Sequence, residues 1–328
     1  MSRTSFRSVR RVTAAVLAAA VLVGCSGAAG SSGESAPDGG EAASPGPEVT
    51  AEPISAAREI TDAKGVTVTT EREPERIVCL VGLCDDMLTE LGITPVATNN
   101  ALLYHPDFLG EDADGVPQIP GGFIAPEIEA ILSHRPDLVI GLEDTHGKLA
   151  PALEGATTFW PVQPATWEDS VGYLRNLAAL TGRTQEGQAA EERFRTALAG
   201  AQEKPSDETA LIIYGSDENF GVATPGTDVA AGLFPRIAGY PWESRGVEGS
   251  YSLEEILARD VDVLFVETLS FGDDDGQLSE KLAANPLWSQ IPAVREDRVY
   301  EVDPEVWAKG RGTRSLGIVL DEATARLR

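Results

Sequence analysis

The stretch EAILSHRPDLVI, residues 129–140, aligns without a gap on EEILARDVDVLF, residues 254–265. In each copy a helix-period segment opens near a glutamate, Glu129 or Glu254, and a short apolar strand is led by an aspartate, Asp137 or Asp262. Helix–strand units share apolar periodicity, so part of this likeness needs no common origin. The unbroken register across both elements reads as an internal repeat, and therefore as a chain of two related lobes.

The text around each copy extends that reading. RIVCLVG, TPVAT, VPQIP, DLVIGL and TTFWPV read as strands, interleaved with the helices CDDMLTELG, PEIEAILSHR and GKLAPALEG. The pattern restarts at ALIIYG and runs through LEEILARD, VDVLFVE, SEKLAANPLWSQI and RVYEVD to a last helix near Arg314. Such alternation predicts an α/β fold with parallel, doubly wound sheets. A helical stretch from about Trp167 to Gln202, broken or bent near Thr181–Gly182, joins the lobes. The expected organisation is a first lobe over 56–165, a linking helix over 166–204 and a second lobe over 205–328.

The N-terminus sets the compartment. Arg3, Arg7, Arg10 and Arg11 precede the apolar run VTAAVLAAAVLV, which is too short to span a bilayer and reads as a secretory signal over residues 1–24. Its ending, LVGC, resembles the lipobox of bacterial lipoproteins, which makes Cys25 the expected lipidation site and membrane anchor. Residues 25–55, rich in Gly, Ser, Ala and Pro, have too few large apolar side chains to fold and read as a tether. Loss of residues 1–24 removes four arginines and no acids, taking the formal charge from −26 to −30. That sign argues against nucleic acid as a partner.

In open parallel sheets, ligands bind beyond the carboxyl ends of the strands. The loops there are LCDD, NNALLYHP, GGFI, EDTHG and QPATW in the first lobe, and SDENFG, YPWESRGVEGSY, LSFGDDD and PEVWAKGRG in the second. Together they carry Tyr104, His105, Phe123, His146, Trp167, Phe220, Trp242, Arg245, Tyr251, Trp307, Arg311 and Arg314, and Trp160 ends a strand nearby. Aromatic faces and planar guanidinium forks in one cleft suit a bulky anionic ligand with flat apolar surfaces.

RIVCLVGLCDDMLTELGITPVAT, PEIEAILSHRPDLVIGL, SLEEILARDVDVLFVE and DRVYEVDPEVWAKGRGTRSLGIVLDE, in this order, resemble the iron-siderophore and cobalamin substrate-binding proteins of ABC importers. The resemblance covers about residues 76–328. It implies two Rossmann-like lobes bridged by a rigid helix and a monomer, lipid-anchored at the outer face of the cell membrane. It implies a ferric siderophore as transported ligand, with no resident cofactor, and delivery to a permease dimer driven by a cytoplasmic ATPase. Trp307 and Arg311 match the positions after the last strand where the family carries an aromatic and often a basic group. Arg245, Trp242 and Tyr104 follow, with Trp160, Phe123 and His146 as further lining. Glu129 and Glu254 match the glutamates that the family offers to permease arginines; a helix-start glutamate that simply favours the helix dipole is the alternative.

Haem is the alternative ligand, through Tyr104 or His105 as axial group, and cobalamin a third. A metal-dependent enzyme on a two-lobe scaffold is the reading from another class. The chain has no Walker A, G-x-S-x-G or H-E-x-x-H sequence, and its three histidines all lie in the first lobe. No metal site is expected: the acidic run 272–276 lacks the spacing of a calcium loop and reads as a solvated turn. Cys79 and Cys84, in CLVGLCDD, form either a disulfide pinning the first turn or a buried thiol beside a free one.

Overall fold

A computed structural model describes residues 49–216, 220–246, 250–269 and 276–328. The signal segment, Cys25, the tether up to residue 48 and residues 272–275 of the acidic run lie outside the described residues.

Ten strands occur in the described residues: β1 Glu59–Thr61, β2 Thr67–Thr69, β3 Ile77–Cys79, β4 Ala97–Thr98, β5 Leu138–Leu142, β6 Thr158–Val162, β7 Ala210–Gly215, β8 Gly221–Val222, β9 Val263–Thr268 and β10 Val299–Val302. In the first lobe they form a wholly parallel sheet in the order β4-β3-β5-β6. The second sheet runs β10-β9-β7-β8, parallel except for the antiparallel edge strand β8. VPQIP, expected as a strand, contributes only a single bridge, Gln118 to Thr98. DVAAGLFPRIAG forms a 3₁₀ segment, Ala231–Arg236, with Pro235 inside it.

Side chains alternate across each sheet, and both faces are covered. In β9, Val263 and Phe265 enter one core while Leu264 and Val266 enter another. In β3, Ile77 and Cys79 face one core and Val78 the other. Two-sided burial is why these strands read as continuous apolar runs rather than as alternating ones.

The repeat survives in three dimensions residue for residue. The first copy folds as the helix Ile128–Ser133 followed by β5, and the second as the helix Leu253–Leu257 followed by β9, with starts at matched positions. Arg135 and Asp260, also matched, both take positive φ, 49° and 47°, to turn from helix into strand. The leading aspartates then tie each strand to its neighbour. Asp137 accepts from the backbone N–H of Glu75 and Arg76, just before β3; Asp262 accepts from that of Thr209, just before β7.

The linking stretch is broken at the expected place: two helices, Trp167–Thr181 and Thr184–Glu203, stand where the resemblance implies one rigid helix, separated at Gly182, whose φ of 70° suits only glycine without strain. Both helices serve both lobes, since Leu174 and Ala190 join the first-lobe core while Val171 and Phe194 join the second. The tether also ends earlier than expected. The backbone N–H groups of Val49 and Ala51 donate to Thr196 and Glu192, and Arg175 donates to the Glu52 carbonyl. Polar backbone contacts hold this stretch where apolar side chains alone do not predict it.

The lobes meet in close backbone contact. A Cβ on Gly82, at the start of the first-lobe helix Gly82–Glu90, would lie 2.6 Å from the Lys309 carbonyl oxygen. From the same helix, Asp86 reaches across to the last helix, Thr313–Thr324, which has no side-chain cap of its own. Its carboxylate accepts from the N–H of Arg314 and Ser315 and from the Ser315 hydroxyl, at 3.1, 2.7 and 2.6 Å. One lobe therefore caps the other lobe's helix.

Candidate functional site

A cavity of about 550 Å³ opens between the lobes, at the carboxyl ends of the strands. That size falls within the range of small-molecule sites. Its first-lobe wall follows β3 and β4: Val81 and Gly82, then Asn99, Asn100 and Ala101, with Gly121, Phe123 and Ile124 from the segment before the helix at 128. The second-lobe wall comes from a π-helical turn after β10, Glu305–Gly310, and the residue beyond it: Glu305, Lys309 and Arg311.

Each wall is held from behind. A disulfide joins Cys79, the last residue of β3, to Cys84 in the following helix, closing the turn that presents Val81 and Gly82. Asp85 is fully buried and accepts from the Asn100 side-chain amide at 2.8 Å and the Thr98 hydroxyl at 3.0 Å. Burial pushes its carboxyl well above the usual carboxylate range despite those two bonds. Asn100 is thus fixed with its amide donors used at Asp85 and Thr98. On the other wall, Arg311 has φ 61°, its carbonyl accepts from the Ser170 hydroxyl at 2.6 Å, and its Nε donates to the Ala308 carbonyl. Two acids lie behind this arginine. Burial raises the carboxyls of Glu267 and Asp228, and the charge on Arg311 draws both back down.

The wall chemistry is asymmetric: apolar and amide groups on one side, ionised groups on the other. A family model described as periplasmic binding protein matches residues 77–306, which takes in the first-lobe wall and, of the second, Glu305. The chain belongs to the periplasmic binding protein family. It is 26% identical to the Fe(3+)-citrate-binding protein YfmC of Bacillus subtilis over 271 residues, 79% of this chain and 82% of that one. It is also 26% identical to a protein named "Probable siderophore-binding lipoprotein YfiY" from the same organism, covering 82% of this chain and 87% of that one. Among solved structures, the Bacillus subtilis triscatecholate siderophore binding protein FeuA, complexed with ferri-bacillibactin, superposes with a TM-score of 0.67 at 23% identity. That match covers 82% of this chain and 98% of FeuA.

Several residues expected to line the cleft of this periplasmic binding protein do not. Trp160, Trp242 and Trp307 are 0–1% exposed and belong to the cores. Their indole N–H groups donate to Asp62, the Ala210 carbonyl and Glu322, and Trp307 stacks on Phe265 with centroids 4.9 Å apart. The physical reason is area: large aromatic side chains gain most where both faces are covered. Trp167 and Tyr251 are buried as well. Arg245 sits over the Tyr251 ring at 3.7 Å and pairs with Glu255 at 2.9 Å, so its donors serve its own lobe. Arg314 pairs with Glu90 at 3.4 Å and donates to the Asp107 carbonyl behind the cleft.

Tyr104 is exposed but stands outside the residues that line the cavity. His105 Nδ1 accepts from the Asp107 N–H. His146 is buried with both ring nitrogens engaged, on the Leu142 N–H and the Phe123 carbonyl. These positions bring no axial haem ligand into the cavity. Of the expected set, Phe123 and Arg311 do line it. The other lining residues, Val81, Gly82, Asn99–Ala101, Gly121, Ile124, Glu305 and Lys309, were not singled out by type, although all but Val81 and Gly82 lie in loops expected at the cleft. Loop position rather than residue type marks them.

No helix among the described residues is long and apolar enough to cross a membrane. Among the described residues, no group of three or more His, Cys, Asp or Glu side chains is placed to hold a metal ion.

Proposed function

We propose that this chain is the extracytoplasmic substrate-binding lipoprotein of an ABC importer, and that the inter-lobe cavity captures a ferric siderophore. The carrying observation is the paired wall: Phe123 and Ile124 exposed on one side, Arg311 and Lys309 on the other. An anionic ferric chelate with flat apolar faces meets both kinds of surface, and the siderophore and ferric-citrate names of the relatives support the same ligand class. Calorimetric titration with ferric citrate, a ferric catecholate, a ferric hydroxamate and haemin tests it. We expect a saturable one-to-one complex with a ferric chelate; a Soret band at equimolar haemin, or silence with every ferric chelate, overturns the reading.

Delivery falls to Glu129 and Glu254. Both are exposed in the first turn of the repeated helix, and neither has a side-chain partner among the described residues. Two carboxylates at matched places on an asymmetric monomer suit a permease dimer related by a two-fold axis, with a cytoplasmic ATPase driving import. Glu129→Ala with Glu254→Ala is expected to abolish uptake at unchanged ligand affinity; retained uptake sinks the docking role. Anchoring is assigned to Cys25, and Cys25→Ala is expected to release the protein from the membrane. No turnover of ligand is expected, since the site's role is binding.

A further inference from the structure

His146 does not line the cavity, yet both its ring nitrogens are engaged beside it. It lies in the short turn Glu143–His146 directly after β5. The Leu142 N–H donates to its Nδ1 at 2.9 Å, so the ring proton sits on Nε2, which donates to the Phe123 carbonyl at 2.6 Å. The Phe123 ring packs edge-on against the imidazole, with centroids 5.0 Å apart. Beneath the ring is Gly141, where a Cβ would lie 2.9 Å from the histidine's own Cβ and 3.1 Å from Nδ1.

The segment that His146 holds has few other ties. Gly121 and Gly122 both take positive φ, 91° and 71°, and Glu127 N–H closes the turn onto the Pro120 carbonyl. From the rest of the lobe, among the described hydrogen bonds, only Asn99 Nδ2 at 3.5 Å and His146 Nε2 at 2.6 Å reach its tip. Yet Phe123 and Ile124 at that tip, 40% and 67% exposed, form the apolar wall of the cavity. Two exposed apolar side chains on a diglycine turn do not hold their place through packing; a tie to the rigid strand end has to supply it.

We propose that His146 is a positioning residue that clamps the 119–127 segment through the Phe123 carbonyl, so that Phe123 and Ile124 present a preformed wall to the ligand. The clamp deepens the siderophore-binding reading and rests on it only for the ligand readout. Gly141 is the seat that lets the ring lie flat against β5. Only neutral imidazole fulfils both bonds, because a proton on Nδ1 turns the Leu142 N–H away. Burial lowers the histidine below its ordinary value, the Phe123 carbonyl opposes this, and Lys148 on the next turn adds repulsion. The other charged groups nearby are Glu143, whose carboxylate lies against Gly147, and Asp144, bonded to Gln163. Phe159 of β6 and Phe123 bring no charge.

The test compares His146→Leu, which makes neither bond, with His146→Gln, whose amide can accept from Leu142 and donate to Phe123. In ligand-free protein, amide exchange over residues 121–127 is expected to rise about tenfold or more in His146→Leu, and to stay within about threefold of wild type in His146→Gln. Affinity for the ferric chelate that binds wild type is expected to follow the same order, weakened about tenfold in the leucine variant. Wild-type exchange at the tip, corrected for the intrinsic pH dependence of amide exchange, is expected to rise on acidification only below the ordinary histidine range, with no such rise in His146→Gln. Equal behaviour of the two variants, unchanged tip exchange, or ring nitrogen shifts placing the proton on Nδ1 in wild type each overturn the clamp. If the leucine variant does not fold, the wild-type ring shifts and acid exchange still decide. If no ferric chelate binds wild type, the ligand reading fails while the exchange data judge the clamp separately.

Discussion

The two lobes share a frame and differ in what their loops carry. The repeated helix, the positive-φ residue and the leading aspartate are matched in space, and so are the parallel strand pairs β3–β5 and β7–β9. At the cleft the likeness stops. The first lobe offers amides and apolar side chains, fixed by a disulfide, a buried carboxyl and a histidine; the second offers a π-helical turn with an arginine, a lysine and a glutamate. Strand pairing and helix packing constrain the frame, whereas loops at the strand ends are free to diverge into function.

The sharpest break in this comparison is at the seam. Asp86→Ala removes the acceptor that, among the described residues, serves two backbone N–H groups and a hydroxyl in the other lobe, and is expected to cost about 2–3 kcal/mol in chemical denaturation. The same residue makes stability depend on pH. Burial pushes the Asp86 carboxyl up to about 7, above the value of about 4 in an unfolded chain. Folding thus favours its protonated form, whose contribution is complete below about pH 4 and lost as pH rises through about 7. Asp86→Asn is expected to remove this residue's share of that slope, seen as a smaller difference between denaturation midpoints at pH 5 and pH 8.

The charged wall is tested next. Arg311→Ala is expected to weaken an anionic ferric chelate about 10- to 100-fold by titration, or about 1.4–2.7 kcal/mol. Phe123→Ala, on the apolar wall, is expected to cost about 1–2 kcal/mol of the same affinity without altering its salt dependence. An equal salt dependence in the two variants would erase the division of labour between the lobes.

The frame itself gives the smaller effects. Asp137→Ala loses bonds from two backbone N–H groups and Asp262→Ala from one, so costs of about 1–2 and about 1 kcal/mol are expected in denaturant midpoints. Matched losses would show the repeat to be energetic as well as geometric; a null at either position would confine it to shape. Smallest of all, Arg245→Ala is expected to leave ligand affinity within about twofold, because its donors are taken up by Glu255.

The fold was legible because its evidence is local and periodic. Apolar strand runs, helix-period segments and the echo at 129 and 254 identify two α/β lobes from the text. The edge strand β8 and the hairpin β1–β2 were not, since GV, EIT and TVT lack the continuous apolar run that marks β3. Site residues divide the same way. Phe123 and Arg311 follow from loop position, but the tryptophans do not, because an indole satisfies a core as well as a cleft.

The sequence by itself determined the two-lobe α/β organisation, the strand ends where a ligand site belongs, and the cysteine pair at the first turn. Only the tertiary structure decided which side chains face the cleft, that Asp86 caps a helix 228 residues away, and that His146 serves a carbonyl rather than a ligand. Periodicity is written along the chain within a few residues, whereas a side chain's partner depends on elements brought together from distant positions.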